Sequence, residues 1–268
     1  MDMIIQGMAD RLVKVPGVVG VLLGGSRARG EHRPGSDWDL GVYYRGELDL
    51  AALGELAGPG VEVAGPGGWG PWVNGGAWLQ VEGVQVDWIL RDLDRVERVW
   101  EDCTEGRYEV GMQAGHPLGF WSPCYAGEVA LGKVLADPTG ELAELRERAG
   151  VYPEALREAL VAGTWEAGFL LAGAAKGAER GDALYVSLCL SRALGVLVQG
   201  VYAADRRWCL NEKGALAVAE GLGVVPEGFG AGVRALLGAP GGTAEELVAT
   251  VGRARVLVEE TVSALRGV

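Results

Sequence analysis

The chain has 268 residues, and 49% of them are hydrophobic, which is enough apolar material for one large domain or two smaller ones. Acidic residues outnumber basic ones by 36 to 24, giving a net charge of −12. Proteins that bind a nucleic-acid backbone usually carry a basic face, so no nucleic-acid partner is expected and a neutral or cationic partner is favoured.

Cysteine usage and the apolar segments bear on location. The four cysteines are widely spaced and only two histidines are present, which argues against a zinc site and favours free thiols in a reducing cytoplasm. Residues 1–12 lack the basic and apolar regions of a signal peptide. The most apolar stretch, residues 186–204, is interrupted by Arg192 and Gln199, which favours a buried helix over a membrane span. We therefore expect a cytoplasmic protein without a membrane partner.

In chain order, a short amphipathic helix over residues 1–14 precedes a buried strand at Val18–Leu23. The strand ends at Gly24 and Gly25, where the backbone can adopt unusual dihedral angles and a ligand can come close to it. Ser26 follows at or near the N-cap of a short helix. Free N–H groups at a helix start suit a phosphate group, but an ordinary tight turn fits the same residues.

A pair of aspartates opens the next strand, residues 38–43. Asp37 and Asp39 are two positions apart, so they project from the same side of an extended chain. Two carboxylates that close repel each other unless a cation lies between them, and carboxylate oxygens suit Mg²⁺. A solvated acidic pair at the start of a strand is the alternative interpretation.

Taken together, the Gly-Gly-Ser turn, the short basic helix and the Ser-Asp-Trp-Asp-Leu segment resemble the nucleotidyltransferase superfamily of the DNA polymerase β type. The core of that signature is matched by Gly25, Ser26, Asp37 and Asp39. An extended form, seen in small-molecule and minimal nucleotidyltransferases, is matched by Gly24, Ala28, Arg29, Gly30, Ser36 and Leu40. The resemblance implies a nucleoside triphosphate donor, most simply ATP, bound at Gly25, Ser26, Arg29 and Ser36. It also implies one or two Mg²⁺ ions held by the aspartates.

The resemblance further implies a third carboxylate on a later strand, and Asp87 in the apolar run 85–90 supplies it. Residues 78–81 and 84–90 are predicted to form the hairpin that carries this residue. Asp87 would be a metal ligand and the general base that takes the proton from an acceptor hydroxyl. An aspartate at a strand edge facing water is the alternative. Asp92 and Asp94 are rivals, but they fall in the predicted first turn of a helix over residues 92–102.

The connecting segments are less regular. We predict a helix over residues 46–57, a short strand at 61–63, another at 107–110 and a helix over 128–135. The glycine-rich segment 65–78 fits either a lid in which Trp69 and Trp72 contact the acceptor or a loop packed by its own tryptophans. His116 could line the site, although a lone histidine is more often structural.

From residue 139 onward the pattern is helical, and the predicted fold is α+β: a small mixed-sheet catalytic domain, residues 1–138, followed by an all-α helical bundle, residues 139–268. Helices are predicted near 139–148, 153–179, 181–204, 212–221, 227–238 and 243–266. This plan resembles the aminoglycoside nucleotidyltransferases, in which a lysine of the helical domain meets the triphosphate. Lys213 is the candidate here, and a solvated turn capped by Asn211 is the alternative.

The resemblance predicts an Mg²⁺-dependent enzyme that transfers a nucleoside monophosphate from a nucleoside triphosphate to a hydroxyl of a small molecule and releases pyrophosphate. An aminoglycoside-like or other antibiotic acceptor, and hence a role in antibiotic resistance, follows by analogy of fold. Two alternatives stay open: transfer to a protein side chain, as in minimal nucleotidyltransferases, and a nucleotide-binding regulatory module without catalysis.

Overall fold

The computed structural model describes residues 1–267, which divide into two compact units. The first unit contains residues 1–102 and 108–151, and the second contains residues 103–107 and those from Tyr152 onward. The sequence predicts a catalytic domain that ends at residue 138 and a helical domain that begins at residue 139, and this assignment of roles stays a prediction.

A five-stranded mixed sheet organises the first unit, and its strands lie in the order β3-β4-β2-β1-β7. β2 and β4 run parallel, whereas the other neighbouring pairs in this sheet are antiparallel. A second sheet is the hairpin of β5 and β6. The strands are β1 Val18–Leu23, β2 Trp38–Tyr44, β3 Gly75–Val81, β4 Val84–Asp92, β5 Val110–Gln113, β6 His116–Trp121 and β7 Lys133–Ala136.

The helices of this part differ from the predicted ones at two places. The helix expected to begin at residue 46 begins at Leu50, because the Asp49 side chain accepts a hydrogen bond from the Ala52 N–H and caps it. The helix predicted over residues 128–135 is wrong, since the helix ends at Leu131 and β7 follows. The helices are α1 Asp2–Leu12, α2 Gly25–Ala28, α3 Leu50–Ala57, α4 Leu93–Thr104, α5 Cys124–Leu131 and α6 Glu141–Ala149.

Two predicted strands also shift. No strand forms at residues 61–63 within the described chain, where the nearest pairing is an isolated bridge between Ala64 and Gly76. The strand expected at residues 107–110 lies at Val110–Gln113 instead. Short polar segments of this kind carry little periodic signal, so their boundaries depend on tertiary pairing.

The two faces of the large sheet have different roles because side chains alternate along each strand. One face is apolar and lies in the core with α1 and α3. Its buried side chains include Val21, Leu23, Leu40, Val42, Val86, Trp88 and Leu90, and they pack with Ile5, Met8, Leu12 and Leu53. The opposite face carries Asp39 and Asp87, and we call it the polar face.

A buried ion pair lies on the polar face at the far end of β4. Arg91 is 3% exposed, and its guanidinium donates to both carboxylate oxygens of Glu128 on α5, at 2.7 and 2.8 Å. The same guanidinium donates to the Val73 carbonyl oxygen at 2.7 Å. The pair therefore joins β4, α5 and the loop that precedes β3.

The second unit is helical. Its helices are α7 Glu154–Gly163, α8 Trp165–Ala178, α9 Ala183–Ala204, α10 Ala215–Ala219, α11 Phe229–Gly238 and α12 Ala244–Arg266. The single helix predicted over 153–179 is divided at Thr164, whose buried hydroxyl donates to the Val161 carbonyl oxygen. With the mixed sheet before it, this unit confirms the predicted fold class.

Helix α9 is the central helix of the second unit and packs against α7, α8 and α12. By length and composition alone it could also cross a membrane, and 50% of its apolar window is buried inside the protein. The core helix of a soluble protein meets the same criteria, so this helix is weak evidence for a span.

The Arg91–Glu128 pair generates a stability prediction. Glu128→Met leaves a buried guanidinium without its carboxylate, and the free energy of unfolding should fall by about 3 kcal/mol. Urea denaturation measures the change. Adding Arg91→Met removes the second charge and should recover most of the loss, so a double variant as unstable as Glu128→Met alone would contradict this account.

Candidate active site

Two carboxylates meet on the polar face where β2 and β4 run side by side. In the register of these strands Asp39 is directly opposite Asp87. Neighbouring strands lie about 5 Å apart, and residues directly opposite each other project from the same face. The family resemblance implied that Asp87 belongs to the same site as Asp39, and the strand register places the two residues side by side.

The Gly-Gly turn at the end of β1 lies against Asp39. Gly24 donates its N–H to the Asp39 carbonyl oxygen at 2.8 Å. A Cβ placed on Gly25 would be 1.8 Å from Asp39 Oδ2, and the φ angle of Gly25 is +61°, a region that L side chains rarely adopt. Glycine is therefore required at position 25 so that the carboxylate can touch the backbone of the turn.

Helix α2 is a single turn, and its N-cap is Gly24 and not Ser26, which lies half-buried inside the helix. Arg29 follows the helix and pairs with Glu31 at 2.8 Å. The hydroxyl of Ser36 accepts a hydrogen bond from the Arg33 N–H at 3.0 Å. Ser26, Arg29 and Ser36 thus all belong to the segment that joins β1 to β2.

Arg27 is a residue that the sequence analysis missed. Its guanidinium donates to the backbone oxygens of Ser36 and Asp37 and lies 4.2 Å from the centre of the Trp38 ring. These contacts hold the segment that carries Asp37 against α2. The signal in the sequence was a basic residue next to the Gly-Ser turn, but its partners are backbone atoms, which no motif records.

The carboxylates of the site act on one another. Burial, followed by the nearby charges of Asp87, Asp37 and Glu128, raises the pKa of Asp39, and the Arg29 charge lowers it. Burial and the Asp37 charge raise the pKa of Asp87, although a hydrogen bond from Gln85 opposes this change. Asp37 itself is exposed. The site therefore concentrates negative charge that a cation would relieve.

The sequence predicts that Mg²⁺ binds at these carboxylates. Within residues 1–267 no group of three or more histidine, cysteine, aspartate or glutamate side chains is arranged to hold a metal ion. The donor set of Asp37, Asp39 and Asp87 nevertheless has the oxygen chemistry that Mg²⁺ prefers, and these carboxylates repel one another. The residues fit the ion chemically, and the metal site stays a prediction.

The rival carboxylates lie elsewhere. Asp92 accepts a hydrogen bond from the Arg95 N–H at the start of α4, and Asp94 forms an ion pair with Arg45. Gln85, by contrast, donates its amide to Asp87 Oδ1 at 2.6 Å. Asp87 is thus the β4 carboxylate that faces Asp39.

The aromatic candidates divide into two groups. Trp72 packs inside its own unit: its ring stacks on Phe120 at 5.8 Å, and its backbone N–H donates to Gln113 Oε1 at 3.1 Å. His116 packs edge-on against Phe120 at 5.1 Å. Trp69 instead stacks on Trp78, on the polar face. The contacts of Trp72 and His116 are those of packing residues.

Lys213 lies in the second unit, in the segment between α9 and α10. Its side chain is exposed, and its N–H donates to Asn211 Oδ1 at 2.9 Å. The Asn211 side chain therefore forms a local turn. Two other basic residues of this segment are paired with carboxylates, Arg206 with Glu154 and Arg207 with Asp205.

Comparison with known families identifies this arrangement. Residues 4–102 match the family model of a nucleotidyltransferase domain, and this range contains α2, β2 and β4 with all three aspartates. The chain carries a nucleotidyltransferase domain. Residues 127–213 match a further family described as a domain of unknown function, DUF4037.

The chain is also similar to solved structures, among them a nucleotidyltransferase-like protein from Exiguobacterium sibiricum 255-15. The two share 11% sequence identity with a TM-score of 0.47, and the match covers 97% of this chain and 74% of the other. No curated protein matches the chain. The assignment of residues 4–102 to the nucleotidyltransferases, which are enzymes that use nucleoside triphosphates, depends on the family model and the recognised motif.

Gly25 generates a prediction with a matched control. Gly25→Ala introduces both a positive-φ alanine and a collision with Asp39, so nucleotide binding should be lost and the free energy of unfolding should fall by about 2–4 kcal/mol. Gly30→Ala is the control, because Gly30 also has a positive φ, +74°, but nothing lies within 4 Å of its added Cβ. It should cost about 1 kcal/mol and leave nucleotide binding intact. Equal effects of the two substitutions in calorimetric titration and urea denaturation would contradict the Asp39 contact.

The raised pKa of Asp39 predicts a pH-dependent stability. The folded protein holds the Asp39 proton more tightly than the unfolded chain does, so stability falls as pH rises from about 4 through the raised pKa. In the Asp39→Asn variant the side chain is neutral at every pH, so its free energy of unfolding at pH 7 in EDTA should exceed that of the wild type. This difference in stability should vanish below a pH of about 4, where Asp39 is protonated in both the folded and the unfolded chain. Urea midpoints across pH measure this effect, and the exposed Glu62→Gln is the control. A variant that is less stable at pH 7 would refute the electrostatic account.

Proposed function

We propose that this nucleotidyltransferase transfers a nucleoside monophosphate from a nucleoside triphosphate, most simply ATP, to a hydroxyl group of a small molecule and releases pyrophosphate in an Mg²⁺-dependent reaction. The observation that carries the proposal is the register of β2 and β4, which sets Asp39 opposite Asp87 while Gly25 lies against the Asp39 carboxylate. A turn suited to phosphates and two carboxylates are thereby brought next to one another on the polar face.

The nucleotide would bind at the turn. Because α2 is a single turn that begins after Gly24, the N–H groups of Gly25, Ser26 and Arg27 have no acceptor within the helix and can donate to phosphate oxygens. Arg29 and Ser36 belong to the same segment and would add a positive charge and a hydroxyl. We also propose that Lys213 contacts the triphosphate, because the family resemblance implies a lysine of the helical domain in that role and a point charge suits phosphate.

Asp37, Asp39 and Asp87 would hold Mg²⁺. An ion bound there neutralises the charge of the triphosphate and relieves the repulsion between the carboxylates. Arg27 would support the site indirectly by fixing the backbone next to Asp37.

Asp87 is proposed as the general base. Gln85 holds its Oδ1 at 2.6 Å, which orients the carboxylate, and the raised pKa makes it a stronger base than an ordinary aspartate. Asp87 takes the proton of the acceptor hydroxyl as that oxygen forms a bond to the α-phosphorus. The bond between the α-phosphorus and the oxygen that bridges to the β-phosphate breaks, and pyrophosphate leaves with the electron pair.

The acceptor is proposed to be neutral or cationic. The net charge of −12 and the carboxylates of the polar face disfavour an anionic acceptor, and they favour an amine-bearing compound such as an aminoglycoside-like antibiotic. Transfer to a hydroxyl of a protein side chain uses the same chemistry, and the assay below separates the two.

Pyrophosphate release tests this proposal. We expect release from one or more of the common nucleoside triphosphates with Mg²⁺, dependent on one class within a panel of hydroxyl-bearing antibiotics. Asp37→Ala and Asp39→Ala should remove both metal-dependent nucleotide binding and turnover. Asp87→Asn should still bind nucleotide but lose turnover by about 10²-fold or more, since it lacks the base. Lys213→Ala should raise the nucleotide KM, whereas the exposed Lys176→Ala should not.

The outcomes separate the alternatives. Activity that survives Asp39→Ala would reject the assigned site. Nucleotide binding without release for any small molecule, together with labelling of protein from nucleotide carrying a radioactive α-phosphate, would move the acceptor to a protein. Binding with neither release nor labelling would indicate a regulatory module.

A further inference from the structure

Two tryptophans form an exposed aromatic surface next to the carboxylates. The rings of Trp69 and Trp78 are stacked with their centres 4.4 Å apart and an angle of 18° between their planes. Trp78 is 64% exposed, although it lies in the middle of β3. In the register of the β3–β4 hairpin Trp78 is directly opposite Asp87, so both side chains project from the polar face. The Cα atoms of two residues paired in this way are about 5 Å apart. We call Trp69 and Trp78 the tryptophan pair.

The position of Trp69 is built into the backbone. A Cβ on Gly76 would be 2.7 Å from the Trp69 ring, so the ring lies directly on the strand where Gly76 has no side chain. The backbone N–H of Trp69 donates to the Asn74 carbonyl oxygen at 2.9 Å, and the backbone carbonyl oxygen of Trp69 accepts from the Gln113 side-chain amide at 2.7 Å. These hydrogen bonds hold the loop in place and fix the Trp69 ring against β3.

The order of residues across the sheet assigns a side to each substrate. From β3 to β1 the row runs Trp78, Asp87, Asp39 and Gly24. The phosphate-binding turn is at one end of the row and the tryptophan pair is at the other. In an in-line displacement the attacking hydroxyl and the leaving pyrophosphate lie on opposite sides of the α-phosphorus. If the triphosphate occupies the Gly24 end, the acceptor approaches over Asp87 from the Trp78 end.

We propose that the tryptophan pair is the acceptor subsite and binds the flat face of a ring that carries hydroxyl and amino groups. This inference rests on the function proposed above and names the substrate class of the same site. An indole face offers an apolar surface with negative electrostatic potential, which attracts C–H groups and ammonium groups. The neighbouring carboxylates add to the attraction for a cationic ring. Trp69 also lines an open cleft of about 830 Å³ together with residues of segments 68–71 and 112–117.

Direct binding can be measured without turnover. The chain has nine tryptophans, and each gives one indole N–H signal in a ¹⁵N-labelled NMR spectrum. Trp69→Phe and Trp78→Phe assign the signals of the pair. Titration with glucosamine and with an aminoglycoside should shift these two signals, whereas the open-chain polyol sorbitol should not. Trp165 is the internal control, because it is also 64% exposed but lies on α8 in the second unit.

Kinetics provide the second readout. For any acceptor found in the pyrophosphate assay, Trp78→Ala should raise the acceptor KM about tenfold and leave the nucleotide KM unchanged. Trp78→Phe keeps an aromatic face and should raise the acceptor KM at most about threefold. Trp165→Ala should change neither constant.

The two proposals can fail separately. Pyrophosphate release with an unchanged acceptor KM in Trp78→Ala would overturn the subsite and leave the function standing. Indole shifts without pyrophosphate release for any compound would show that the tryptophan pair binds such rings, but would overturn the proposed transfer and with it the role of the pair as an acceptor subsite. Failure of both amine-bearing compounds to move the signals of Trp69 and Trp78 would also overturn the subsite.

Discussion

Contact between the Asp39 carboxylate and the bare backbone of Gly25 is the constraint on which the site depends. It ties the end of β1 to the start of β2, and the parallel pairing of β2 with β4 then fixes Asp87 on the other side of Asp39. Three strands thus place a turn and two acids within a few ångströms, because each strand has only one register that keeps its apolar residues in the core.

The same arrangement has an energetic cost that the fold tolerates. Asp39 and Asp87 are partly buried next to like charges. Within residues 1–267 neither forms an ion pair like that of Arg91 with Glu128, although the Arg29 charge partly offsets the rise in the pKa of Asp39. Further along the polar face, the buried Arg91–Glu128 pair holds β4 against α5 and against the loop before β3. Stable packing at one end of the face supports an electrostatically unfavourable cluster at the other, as is usual where a site is prepared for a charged ligand.

Sequence patterns predicted the part of this architecture that depends on short-range spacing. Asp37 and Asp39 at the start of a strand, Asp87 within an apolar strand and the helical second half all follow from periodicity and a recognisable motif. The pairing of Trp69 with Trp78 could not be predicted, because it depends on strand register and on a gap above Gly76. Arg27 and Arg91 act through backbone oxygens and a partner far along the chain, and neither leaves a local signature. The helix predicted over 128–135 failed because pairing of β7 with β1 outweighs helix propensity there.

Gly25 and Gly76 have a consequence for how the chain tolerates mutation. Both positions lack a functional group, yet other residues fill the space beside each: the Asp39 carboxylate at Gly25, and the Trp88 carbonyl oxygen together with the Trp69 ring at Gly76. Every other amino acid adds at least a methyl group there. A complete substitution scan of the domain should therefore rank Gly25 and Gly76 among its least tolerant positions, alongside the aspartates. Intolerance to substitution alone would not distinguish the residues that perform chemistry from the glycines that leave room for their neighbours.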